Sequence, residues 1–224
     1  MMCTRCGVWA AAGGKDVCEL CAAQADGPVV RIAPPATATP ATELRSPVGL
    51  SYAVLALLAV WTVGDLSALA ADRWGSVGLY DGVVRLQGPV FFACAITFMV
   101  WFNRVRVNAE VFSPRGHSKT RTWAYWGWIV PVVNLWYPRR IAIDTWVASS
   151  GPQSASYRLI NVWWVCWLLS NLGLYSDIGG EAVATTAVEG LIDVAAAVTA
   201  ALFVRQLTRK QDELARTGPV AAAA

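Results

Sequence analysis

Long apolar runs alternate with short polar connectors along this chain. The first run, 48–71, reads VGLSYAVLALLAVWTVGDLSALAA and carries a single charge, Asp65. A helix rises about 1.5 Å per residue, so about 20 apolar residues cross the hydrocarbon core of a bilayer. The run therefore predicts a membrane-spanning helix with some tilt. A second run starts at Gly88-Pro89, with proline in the first turn where its missing N–H costs nothing, and predicts a span over 88–108. The helix is expected to continue, amphipathic, to Phe112, where Ser113-Pro114 stops it. Runs at 159–175 and 185–204 predict a third and a fourth span. The loop 72–87, holding Asp72, Arg73, Asp81 and Arg85, and the acidic loop 176–184 are expected to join the spans in pairs.

One apolar stretch does not fit that pattern. Residues 123–137, WAYWGWIVPVVNLWY, are aromatic, but the segment has only 15 residues and Pro131 interrupts it. That length suits a re-entrant or interfacial segment better than a span. With a short helix at 139–149 it predicts a broken element, 123–149, in or against one leaflet. The polar connector before it carries Arg104, Arg106, Arg115, His117, Lys119 and Arg121.

Charge orients the helices. With four spans and a cytoplasmic N-terminus, only Arg73 and Arg85 face outside, and the other sixteen of the eighteen Lys and Arg lie inside. Were 123–137 to cross as a fifth span, nine would face outside. The positive-inside bias favours four spans, with both termini cytoplasmic. Composition agrees: 56% apolar residues, 15% charged and twelve Trp suit a multi-pass membrane protein. No cleavable signal peptide is expected, because the first apolar run starts late and is long enough to span. A net charge of +3 gives no argument for nucleic acid.

The N-terminus brings in separate chemistry. Cys3-x2-Cys6 is followed, after eleven residues, by Cys18-x2-Cys21. Two such turns can close a tetrahedron of thiolates around Zn2+, at about 2.3 Å per bond. A piece of 25 residues has little core, so the metal would supply its folding free energy. Residues 1–25 therefore predict a structural zinc knuckle, similar to minimal zinc ribbons, with Gly7 after the first pair and Ala22 after the second. Disulfides would need an oxidising compartment, which the topology denies. Four ligands leave no open position, so the expected use is docking or sensing. Residues 26–47 hold five prolines and predict an extended linker, and 211–224 predict a disordered tail. Cys94 and Cys166, alone in apolar runs, read as small hydrophobes.

Asp65, Glu189 and Asp193 fall inside predicted spans. Glu189 and Asp193 are four apart and share a helix face. Membrane-embedded acids mark an ion or proton site, or else make structural polar contacts near an interface. His117, the one histidine, reads as a solvated loop residue. No Ser-His-Asp set, phosphate loop or HExxH motif is present, so enzyme activity is not expected.

The region 101–149 is the most distinctive. Trp101, Arg104, Asn108 and Ala109 give W-x2-R-x3-N-A, and Trp128, Pro131, Asn134, Leu135, Trp136 and Pro138 give W-x2-P-x2-N-L-W-x-P, with Trp123, Gly127 and Trp146 around them. In these residues the chain resembles the DUF4328 family of bacterial, largely actinobacterial, membrane proteins. The resemblance covers about 48–210 and implies a membrane-embedded helical domain of a bacterial cytoplasmic membrane, with the zinc knuckle as an addition. It implies no activity. Within the stretch, Pro131 and Pro138 are expected to break the helix, with Asn108 and Asn134 satisfying the freed backbone. Trp123, Trp126, Trp128 and Trp136 suit an interfacial belt, and Arg139 and Arg140 suit lipid phosphates. The elbow reads as structural, or as a pocket for a lipid headgroup or small ligand.

The expected fold is all-α integral membrane: four transmembrane helices plus the interfacial broken helix, preceded by the knuckle. The expected role is a non-enzymatic scaffold whose zinc element docks a cytoplasmic protein partner. The alternative is a small transporter-like or ion-coupled component using the intramembrane acids. Small residues at 195–201 would allow close packing within one chain or between copies.

Overall fold

The computed structural model describes residues 16, 44–114, 116–150, 156–172 and 182–217. The chain divides into two compact units, Met1–Thr37 and Ala38–Ala224, and every described helix belongs to the second. Among the described residues there are six α-helices and no strand: α1 (Val48–Arg73), α2 (Val77–Phe112), α3 (Trp123–Ile129), α4 (Tyr137–Ala148), α5 (Arg158–Leu172) and α6 (Ala182–Thr217). A 3-10 turn, Val133–Leu135, lies between α3 and α4.

Among the described residues two helices, α1 and α2, are long and apolar enough to cross a membrane, not the four expected. The third expected span coincides with α5, whose 15 described residues fall short of the about 20 needed. The fourth lies within α6, a 36-residue helix carrying Glu189 and Asp193 whose last part turns polar. The apolar stretches of α1 and α2 bury almost nothing inside the protein. Val60, Val63, Leu66, Phe92 and Ile96 are all exposed on them. The core helix of a soluble protein would hide such residues.

The expected loop 72–87 is a three-residue turn instead. Trp74–Ser76 joins α1 to α2, with Gly75 at φ +67°, where glycine is at home. Pro89 therefore sits inside α2 and does not start it. Asp81 and Arg85 ride on the helix. The charges and the Gly-Pro pair read as punctuation in sequence, but a tight hairpin lets α2 begin at once.

The packed core gathers at one end of the bundle, where α1 begins, α2 ends, α5 begins and α6 ends. Val54, Trp101, Phe102, Val105, Ile141, Trp146, Trp163, Phe203 and Leu207 fill it. Trp163 stacks on Phe203 with ring centroids 4.7 Å apart, and Trp101 meets Phe203 edge-on at 5.6 Å. Aromatic pairs at such distances add about 0.5–1.5 kcal/mol beyond the area they bury. α1 packs along α2 and α6, and α5 along α6, while α3 and α4 cover the end of α2. Gly127 on α3 faces Tyr137 and Pro138, where an added Cβ would stand 3.4 Å from that of Tyr137. A larger residue there would press on the start of α4.

α6 continues to Thr217, so 211–217 are helical where a tail was expected. Pairs four residues apart hold its end: Arg216–Asp212 at 2.7 Å and Arg209–Glu213 at 3.9 Å. Residues 218–224 lie outside the described residues.

Candidate functional site

The family-type residues of α2 form a buried polar clamp. Trp101 donates its indole N–H to Thr208 Oγ1 at 3.1 Å. Asn108 Nδ2 donates to the Arg45 carbonyl at 2.8 Å and to Gln211 Oε1 at 3.1 Å, and its Oδ1 accepts from the Arg45 N–H. Gln211 Nε2 in turn donates to the Val105 carbonyl at 2.8 Å and to Ser149 Oγ at 3.0 Å. Arg104 donates to the Ser46 carbonyl at 3.2 Å. The last residues of the expected linker are therefore tied to α2. Asn108 does not serve the broken helix, as expected from sequence, because its partners are Arg45 and Gln211.

A second cluster holds the connector between α2 and α3. Arg106, 1% exposed, donates to Glu110 at 2.7 Å and to the Lys119 carbonyl at 2.7 Å, and Glu110 also accepts from Arg121. Asp144 accepts from the backbone N–H of Ser118 at 2.8 Å and from its hydroxyl at 2.5 Å. His117 is partly buried in this cluster, and neither ring nitrogen has a hydrogen-bond partner. Burial, helped by the nearby Arg106 guanidinium, pushes its pKa below the usual 6.5. The Ala109 carbonyl, Glu110 and Asp144 pull weakly the other way, the carbonyl without reaching hydrogen-bond geometry. The solvated loop histidine of the sequence reading is thus a half-hidden one.

The broken element is real but built differently. Val130 is extended, as a residue before proline should be, so Pro131 ends α3. Pro138 breaks nothing: it occupies the first turn of α4, where no donor is needed. Between them Val132 holds φ +67°, a strained value for a β-branched residue. Trp164 donates to the freed Leu135 carbonyl at 3.1 Å. Trp126 and Trp136 are exposed. Trp128 instead packs against Phe98, Phe102, Trp163, Trp164 and Trp167. Arg139 is drawn to Asn161 Oδ1 at 2.8 Å, and Arg140, mostly exposed, stands 3.5 Å from Asp144.

The structure brings the acids Asp65, Glu189 and Asp193 together. With Asp72, Tyr80 and Gln87 they line a cavity of about 220 Å3 between α1, α2 and α6. Gln87 donates to Asp65. Asp65 and Asp193 are close enough to interact electrostatically, as are Asp193 and Glu189. Among the described residues no group of three or more His, Cys, Asp or Glu is arranged to hold a metal ion. Cys3, Cys6, Cys18 and Cys21 lie outside the described residues, as do the rest of the knuckle, apart from Asp16, and most of the linker.

Sequence reading missed Gln87, Ser118, Asp144, Thr208 and Gln211. For all but Ser118, which lies in the connector, a polar residue in an apolar or amphipathic helix was the available signal, but the partners lie far along the chain. Two comparisons are empty: no curated protein and no solved structure matches the chain. The profile of the family described as "Domain of unknown function (DUF4328)" matches residues 65–209, more than half of the chain. It takes in the clamp residues Trp101, Asn108, Ser149 and Thr208, the broken element and the three acids, and leaves out Arg45, Gln211 and the four N-terminal cysteines. The chain belongs to the DUF4328 family.

Proposed function

We propose that the protein is a multi-pass membrane module that holds a partner and performs no chemistry. The observation that carries this reading is the exposed apolar surface of α1 and α2, set against a core packed at one end only. Apolar helix surface that the protein itself leaves uncovered is at rest in lipid, where exposure of such side chains costs nothing. The finer reading has α5 and α6 crossing as well, giving four spans with both termini in the cytoplasm of a bacterial cell. It is supported by sixteen of eighteen Lys and Arg falling on one side. The packed end, with its Arg106–Glu110–Arg121 cluster, would then face the cytoplasm. The spacing of Cys3, Cys6, Cys18 and Cys21 supports a zinc knuckle carried on that side as the docking element.

Three measurements test this. The chain should resist extraction by alkaline carbonate. Cysteine introduced as Ser76→Cys should react with an impermeant maleimide from outside, and Thr217→Cys only after permeabilisation. One zinc ion per chain should disappear in Cys18→Ser/Cys21→Ser, together with any partner crosslinked to the intact protein in native membranes. A variant that keeps its partners would reduce the knuckle to a folding accessory.

The cavity lined by Asp65, Glu189 and Asp193 favours a second reading, an ion-coupled component. Proton or cation flux in proteoliposomes, abolished by Asp65→Asn/Asp193→Asn, would establish it. Absence of flux leaves the acids as structural contacts.

A further inference from the structure

A larger cavity, about 540 Å3, opens between α1, α2, α5, α6 and the broken element. Its walls are aromatic: Trp61, Phe91, Phe98, Trp128, Trp163 and Trp167. Ala196, Ala197 and Ala200 on α6 leave the space empty that larger side chains would fill. Its rim includes Phe92, 65% exposed, and Ile129, 59% exposed. The mouth therefore opens among the apolar faces of the helices.

Two residues that line this cavity each carry a polar atom buried without a partner, Trp128 Nε1 and Asn134 Oδ1. The first is a donor and the second an acceptor. Buried polar groups are nearly always paired, so two such residues in the wall of one cavity point to an occupant. A hydroxyl answers both, since its O–H donates to Asn134 Oδ1 and its oxygen accepts from Trp128 Nε1. Asp193 also lines the cavity and repels an anionic head. Volumes of about 300–1,000 Å3 are usual for small-molecule sites.

We propose that this cavity binds a single-chain, uncharged amphiphile from the bilayer, its chain along the aromatic walls and a hydroxyl head between Trp128 and Asn134. The proposal rests on the membrane reading. It differs from the acidic cavity, with which it shares Asp193, in being apolar and in reading a neutral head.

The test uses the full chain in phosphatidylcholine nanodiscs with three photoreactive C16 probes: an alkanol, a fatty acid and an alkane. The alkanol should label peptides carrying Phe91, Phe98 or Trp128, and unlabelled hexadecanol should compete. The fatty acid at pH 8 should label them about tenfold less. Trp128→Phe keeps the ring and removes the donor, so hexadecanol competition should weaken about fivefold, the usual worth of one neutral hydrogen bond, while alkane labelling is unchanged. Ala197→Phe fills the cavity from α6 and should abolish the selective label. Even labelling of all apolar faces by the three probes, or competition unaltered in both Trp128→Phe and Asn134→Leu, overturns the proposal. Failure of the membrane reading would look different, as a chain released by alkaline carbonate. Failure of the site alone would leave an integrated chain labelled without selectivity.

Discussion

The side-chain amides of Asn108 and Gln211, 103 positions apart, meet at 3.1 Å inside the packed end of the bundle. Each is 1% exposed. Through them four pieces of chain are joined: the segment before α1, the end of α2, the turn after α4 and the end of α6. Every donor and acceptor named in the network has a partner in another element, and such amides resist sliding because each shift would leave several groups unpaired.

Asn108→Leu should therefore destabilise the protein. Each buried group left unpaired costs about 1–3 kcal/mol, and this change strands Gln211 Oε1 and the Arg45 backbone together. Thermal unfolding in detergent reads the effect. In a double-mutant cycle with Gln211→Leu the two losses should not add. Full additivity would show that the amides act independently.

Val63, 62% exposed on α1, separates lipid from water as the surroundings of that helix. On an aqueous surface, Val63→Lys should change stability by no more than about 0.5 kcal/mol. Near the centre of a bilayer, a lysine costs about 2.5–3.5 kcal/mol on insertion scales. The expected outcome is a sharp drop in the membrane-integrated fraction, measured by carbonate extraction. An unchanged fraction would argue that α1 lies elsewhere.

His117 predicts a pH dependence. Its folded pKa is depressed below 6.5, so the unfolded chain takes up a proton first as the pH falls. Stability is unaffected above the unfolded value and is lost progressively as the pH drops from 6.5 toward the folded pKa, by at most about 1.4 kcal/mol per pH unit. Melting at pH 7.5 and pH 5 should show a smaller fall for His117→Phe than for the native chain. Equal falls would assign the acid sensitivity to other groups.

The turn at Val132 stores strain. A β-branched residue at φ +67° is costly, and Val132 is 64% exposed, so it gains little packing in return. Val132→Gly should stabilise the fold by about 1 kcal/mol, after allowing for the greater freedom of glycine in the unfolded chain. A loss of stability would mean that the valine side chain contributes contacts larger than the strain.

The acids give a two-sided prediction. Asn at position 65 can still accept from Gln87, and Asp65→Asn/Asp193→Asn removes repulsion between like charges. The melting temperature should rise. A fall would show that the carboxylates are held as anions by a cation in the cavity.

Local properties of the chain were legible without a structure. Apolar runs in the sequence determined where α1 begins, that 88–108 is helical and that 123–137 is broken, because helix length and hydropathy are sums over neighbouring residues. The offsets from Trp101 to Pro138 determined the family. Tertiary structure alone decided the rest. It made 72–87 a three-residue turn, with Pro89 inside α2, because a tight hairpin can form wherever a glycine accepts φ +67°. It sent Asn108 to Arg45 and Gln211 and not to the broken element, drew Arg139 to Asn161, and turned Trp128 into an aromatic cluster. It also set Asp65 opposite Asp193. Each of these joins residues distant in sequence, and a contact of that kind depends on how whole helices pack, which no local window of residues encodes.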